Sequence, residues 1–174
     1  MHYILDGGPC RFGVESTILS LLDEQHPRLL RYGPIAKETL EAFLGQPIEA
    51  TSHISQTGPR LSPGLYKKHY SPQTPLYLVD NLTHYQPSGN LCTVFNENAA
   101  HIFLFSPKRD LQKNEFVLSE QSDLQEVAAR LFAVISELDA AHYTSLWIEK
   151  APNQGIGNAI NDRLSRAAHI DLSL

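Results

Sequence analysis

The densest run of side chains able to do chemistry is Leu61-Ser-Pro-Gly-Leu-Tyr-Lys-Lys-His-Tyr-Ser-Pro72. Lys67, Lys68, His69 and the phenols of Tyr66 and Tyr70 can all donate hydrogen bonds. Cations beside aromatic faces suit a nucleotide, with phosphates on the cations and a base or ribose against a ring. Pro63 and Pro72 fix φ and carry no N–H, so the run reads as an extended, semi-rigid loop rather than a helix or central strand. The same composition also suits a solvated linker between domains, and the loop alone does not choose between linker and ligand lid.

A second candidate is Gly7-Gly-Pro-Cys-Arg-Phe-Gly-Val-Glu-Ser-Thr17, a glycine-rich turn that feeds a hydroxyl pair. Ser16 and Thr17 can each donate and accept, which fits carboxylate or phosphate oxygens. No Gly-Lys-Ser or Gly-Lys-Thr follows, so this is no Walker A loop. A tight turn before a strand, with Thr17 serving β-propensity, accounts for the same residues. Arg31 closes the apolar run Arg28-Leu-Leu-Arg31. Its planar fork suits phosphate or carboxylate, and a surface ion pair is the plainer alternative. Gly155-Ile-Gly-Asn158 opens the last helical pattern, but the third glycine of a dinucleotide fingerprint is missing, which favours a structural turn. Glu149, Asp162, Arg163 and Arg166 read as a solvated helix face with its ion pairs. No Ser-His-Asp or Cys-His arrangement stands out, and no structural metal site is expected.

The elements that would position these groups fall in two blocks. In residues 1–50, short strands are expected over His2–Leu5, from Val14 to Leu19 and over Arg28–Arg31, followed by a helix from Ile35 to Leu44 that stops at Gly45. So few elements make a poor independent core, which suggests the tail of a larger domain. Residues 46–75 read as a linker. Residues 76–174 read as a small α/β domain. Strands are expected at Leu76–Val79, Ile102–Phe105, Phe116–Leu118 and Leu146–Ile148. One helix starts at a Ser122-Asp-Leu-Gln125 capping box, with Leu124, Val127, Ala128, Leu131, Ile135 and Leu138 at helical spacing. A last helix carries Ile156, Ile160, Leu164 and Ala168. Leu91 to Phe95 could be strand or helix. Strands alternating with helices suggest a parallel or mixed sheet.

Composition narrows the function classes. The 174 residues are 42% hydrophobic and 19% charged, with a net charge of −5. That balance fits a globular protein and disfavours binding driven by broad neutralisation of nucleic-acid phosphates. No run approaches the length of a membrane span. Cys10 and Cys92 read as reduced thiols of a cytoplasmic protein.

Taken in order, Gly8-Pro-Cys-Arg-Phe-Gly-Val-Glu-Ser-Thr-Ile18, Leu30-Arg-Tyr-Gly-Pro-Ile35 and Ser62-Pro-Gly-Leu-Tyr-Lys-Lys-His-Tyr-Ser-Pro72 resemble the long form of L-threonylcarbamoyladenylate synthase. Gly155-Ile-Gly-Asn-Ala-Ile-Asn-Asp-Arg-Leu-Ser-Arg-Ala-Ala168 is similar to the end of that family's C-terminal domain. The resemblance implies a YrdC-like α/β segment over 1–45, a lid-forming linker over 46–75 and a small Rossmann-like domain over 76–174. It implies a nucleotidyltransferase that makes threonylcarbamoyl-AMP and pyrophosphate from L-threonine, bicarbonate and ATP, with Mg(2+) on the triphosphate, for threonylcarbamoyl modification of tRNA. Ser16 would contact L-threonine. Arg31 and Tyr70 would contact ATP, with Thr17, Lys67, Lys68 and His69 as further lid contacts. Where the family often reads Met-Lys-Tyr-Arg-His-Tyr, this chain has Leu65-Tyr-Lys-Lys-His-Tyr70, an exchange that bears on Tyr66 and Lys67 and not on Tyr70. The family's Lys-Arg motif for ATP has no counterpart here, so the chain is expected to be the C-terminal portion of such an enzyme and inactive alone. The missing part could be a separate chain. A non-catalytic nucleotide- or RNA-binding regulatory module is the alternative.

Overall fold

The computed structural model describes residues 3, 5–8, 10–50 and 71–173. Strand β1 (Ile18–Ser20) lies antiparallel to β2 (Arg28–Arg31), and β2 runs parallel to β3 (Glu49–Ala50). Helix α1 (Lys37–Leu44) connects β2 to β3 and ends where Gly45 turns left-handed at φ 68° and donates its N–H to the Glu41 carbonyl. A glycine takes that conformation at little cost, which explains the stop. Two local expectations shift. The helix starts at Lys37 rather than Ile35, because the Ile35 N–H and C=O both bond the Thr17 hydroxyl instead of a helical neighbour. The first strand begins at Ile18, because Val14 leaves it and is buried in the core of the larger sheet.

The larger unit contains β4 (Leu76–Val79), α2 (Leu91–Val94), β5 (Ala99–Phe105), β6 (Glu115–Ser119), α3 (Leu124–Ala140), β7 (Ser145–Glu149), α4 (Ile156–Ala167) and β8 (Ile170–Asp171). Its five strands follow the order β6-β5-β7-β4-β8, and every neighbouring pair is parallel. Mixed pairing belongs to the small sheet. Parallel strands covered on both faces need apolar side chains at successive positions, which is why these runs lack alternation. Leu76, Leu78, Ile102, Leu104, Leu146 and Ile148 share one core with Val127, Leu131, Ile135, Ile160 and Leu164 of α3 and α4. The intervening Val79, Phe103 and Trp147 pack on the other face with Leu91 and Val94 of α2. This is the two-residue alternation of a strand serving two cores. The ambiguous stretch at 91–95 is therefore a short helix covering the second face.

Helix α3 starts one residue later than its sequence pattern suggests. Ser122 sits at φ 58°, and Asp123 is the N-cap, its carboxylate accepting the Gln125 N–H at 2.8 Å. The buried Ser119 hydroxyl accepts the Asp123 N–H at 3.0 Å and bonds Glu126 at 2.6 Å, which fixes the entry from β6.

Candidate functional site

Strand pairing sets the site. Arg31 stands opposite Ile18, and the register shifts between Ile18 and Leu19. From there the Arg31 guanidinium reaches along the neighbouring chain to Ser16. Its Nε donates to the Ser16 carbonyl and its Nη2 to the Ser16 Oγ, both at 2.9 Å. Two donors on one residue use the fork that lysine lacks. A serine oxygen that accepts from a guanidinium keeps its own O–H to donate, and a ligand carboxylate is a fitting acceptor. Ser16 is exposed and Arg31 half-buried, so both lie at a surface that a ligand can reach.

Backbone packing holds this pair from the next residues. A Cβ on Gly33 would overlap the backbone of Glu15, Ser16 and Thr17, so the turn after Arg31 can lie against the Ser16 turn only with glycine there. The Thr17 hydroxyl donates to the Ile35 carbonyl at 3.0 Å and accepts the Ile35 N–H at 3.1 Å, pinning the same two segments. The Ser16–Thr17 hydroxyl pair and Arg31, singled out as separate motifs in the sequence, thus share one corner of the small sheet. Lys67, Lys68, His69 and Tyr70 lie outside the described residues.

The expected solvated helix face is overturned at Arg163, which is 1% exposed. Its guanidinium pairs with the carboxylates of Glu15 and Asp162 and donates to the Tyr32 carbonyl at 3.3 Å. Asp162 in turn accepts from Arg166 Nε at 3.1 Å and Nη2 at 2.8 Å. A signal for this was present. Arg163 lies three residues from Ile160 and four from Ala167, on the apolar stripe of α4, and an arginine there must be buried and paired. Gly13 packs its Cα against the α3 backbone at Ala128–Ala129, where a Cβ has no room. These contacts join the strap around Ser16 to α3 and α4.

Glu149 also departs from the solvated reading. At the carboxyl end of the central strand, its Oε1 accepts the Leu82 N–H at 3.0 Å and its Oε2 the Leu104 N–H at 3.1 Å. Burial raises its pKa above the ordinary 4.5, against the opposing pull of these two bonds. The folded protein therefore holds this proton to higher pH than the unfolded chain. The stability that follows is complete below about 4.5 and is lost as pH rises through the folded value. In Glu149→Gln the carboxyl titration is gone, so urea unfolding stability should rise more, or fall less, from about pH 4 to about pH 7 than in the wild type. An unchanged slope would contradict this account.

Gly155 and Gly157 have packing reasons. Gly155 caps α4 at φ 54°, and a Cβ on Gly157 would overlap the Pro152 carbonyl. Cys10 and Cys92 are free and exposed. Among the described residues no three His, Cys, Asp or Glu side chains gather as a metal cage, and no helix is long and apolar enough to cross a membrane.

The fold and site define an α/β protein in which a five-stranded parallel sheet carries, on its helical face, a small sheet presenting a serine–arginine pair. The family described as threonylcarbamoyl-AMP synthase, C-terminal domain, matches residues 35–169, and the chain belongs to it. Threonylcarbamoyl-AMP synthase of Bacillus subtilis is 33% identical over 176 residues, covering 95% of this chain and 48% of the relative. The Pyrococcus abyssi synthase is 26% identical, with 95% and 48% covered, and that of Schizosaccharomyces pombe is 29% identical, with 96% and 45% covered. The chain spans about half the length of the curated relatives it matches. The crystal structure of P. abyssi Sua5 complexed with L-threonine superposes with a TM-score of 0.73 at 25% identity, covering 97% of this chain and 50% of that one.

Proposed function

We propose that this chain is the C-terminal portion of a threonylcarbamoyl-AMP synthase and supplies one wall of its substrate site. The enzyme joins L-threonine and bicarbonate into a carbamate with loss of water, and the carbamate oxygen then takes AMP from ATP as pyrophosphate leaves. The observation that carries the reading is the Ser16–Arg31 pair, held at 2.9 Å on the segment that resembles the family's own motif. Support also comes from P. abyssi Sua5, whose structure contains L-threonine.

In this reading the Ser16 hydroxyl donates to the L-threonine carboxylate. The Arg31 guanidinium orients that hydroxyl and offsets charge on the ATP phosphates as pyrophosphate leaves. The cationic 61–72 loop, with Tyr70 against ATP and Lys67, Lys68 and His69 on its charged groups, closes the site and keeps water from the labile carbamate. Magnesium travels with the triphosphate. The described residues hold no carboxylate cluster for it.

The remaining wall comes from preceding polypeptide, whether joined to this chain or separate. Leu21 and Leu22 after β1, Ile35 before α1 and Phe43 on α1 are exposed, Leu22 by 96% and Phe43 by 87%, as expected of surfaces meant to be covered. Residues 1–45, 46–75 and 76–174 are accordingly read as the end of the catalytic domain, the lid and a Rossmann-like domain. Pyrophosphate release from ATP with L-threonine and bicarbonate tests this. The protein that includes the preceding polypeptide should turn over, and the 174-residue chain alone should not. Robust turnover by the chain alone would overturn the division of the site, and no turnover by either would overturn the function.

A further inference from the structure

We infer that Arg163 is a positioning residue for the substrate site: from α4 it grips both residues that flank the working pair. Its guanidinium pairs with Glu15, the neighbour of Ser16, and donates to the carbonyl of Tyr32, the neighbour of Arg31. One rigid fork thus touches both segments that must meet for Arg31 to reach the Ser16 Oγ. Asp162 pairs with the same guanidinium and with Arg166, which anchors the fork to the helix.

Stability alone does not account for this arrangement. Well-packed apolar residues often replace a buried ionic cluster with no loss of stability, whereas removing one partner leaves an uncompensated buried charge. The expense of desolvating Arg163 is matched by what apolar packing cannot provide, a fixed direction for the strap. Sites lose rate steeply when a binding group shifts by an ångström, so a buried tie behind the binding residues has a direct effect. The large α/β unit then serves the chemistry of the small sheet: α3 meets the strap at Gly13 and Val14, and α4 locks it at Glu15 and Tyr32.

This inference rests on the proposal that Ser16 and Arg31 bind substrate, and the experiment separates the two. L-threonine affinity is measured by calorimetry on the protein containing the preceding polypeptide. The wild type is compared with Ser16→Ala, Arg163→Met, Arg163→Lys and Glu15→Gln, with thermal unfolding run in parallel. Glu15→Gln keeps the Arg163–Asp162 pair and removes the negative charge that Arg163 grips on the strap, so it decides the matter if Arg163→Met does not fold. The expected result is a loss of L-threonine affinity on the order of tenfold in Glu15→Gln while the protein stays folded at the titration temperature, with partial recovery of affinity in Arg163→Lys over Arg163→Met. Wild-type affinity in Glu15→Gln and Arg163→Met, with binding lost in Ser16→Ala, would overturn the positioning role and leave the site assignment standing. Wild-type affinity in Ser16→Ala would overturn both.

Discussion

Arg31→Ala, made in the protein that includes the preceding polypeptide, should lower kcat/KM for pyrophosphate release at least about a hundredfold, the size expected when a charge-stabilising donor is removed from an enclosed site. The substitution acts twice. It removes the cation proposed to offset charge on the departing pyrophosphate, and it releases the Ser16 Oγ from a 2.9 Å bond. Arg31→Lys should recover little, because one ammonium cannot hold the Ser16 carbonyl and Oγ together as Nε and Nη2 do. If the alanine variant kept kcat/KM within about twofold of the wild type, Arg31 would be a surface arginine whose contact with Ser16 is incidental.

Trp147→Ala should be the most damaging single truncation in the fold, at roughly 3–5 kcal/mol. Trp147 is fully buried at the centre of the five-stranded sheet. It stacks on Tyr77 at 4.3 Å between ring centroids and meets Phe95 edge-on at 4.8 Å. Its Nε1 donates to the Ser145 Oγ at 2.9 Å, and that hydroxyl donates to the Val94 carbonyl at 2.6 Å. The truncation opens a cavity between sheet and α2 and unties the tryptophan's link to the end of that helix. Because this is the protein's one tryptophan, unfolding of the variant has to be followed by circular dichroism rather than fluorescence. A urea midpoint matching the wild type would mean that the second core contributes little.

The residues that made the fold legible are those whose period is local. Ile102, Leu104, Leu146 and Ile148 announced buried strands, and the Leu124-to-Leu138 pattern announced α3. Starts of elements were less legible because distant partners decide them. Thr17 takes Ile35 out of α1, and Ser119 helps set the start of α3 at Asp123. The site was legible as residue types in separate motifs, and the contact between Ser16 and Arg31 needed the strand register to appear. Arg163 and Glu149 read as solvated in the sequence and are not, since a charged residue in a sequence does not show what surrounds it. For Arg163 the apolar stripe of α4 was the available clue, and its partner Glu15 lies 148 residues away. For Glu149 no local clue existed, because its partners are backbone N–H groups on neighbouring loops and strands.

The central claim is that the corner built by Ser16 and Arg31 is where L-threonine and ATP meet. A crystal structure of the protein containing the preceding polypeptide, with L-threonine and a non-hydrolysable ATP analogue, measures this directly. The threonine carboxylate is predicted to lie within hydrogen-bond distance of the Ser16 Oγ, with phosphate oxygens on the Arg31 guanidinium. Both ligands bound elsewhere, with the Ser16–Arg31 corner facing bulk solvent, would contradict it.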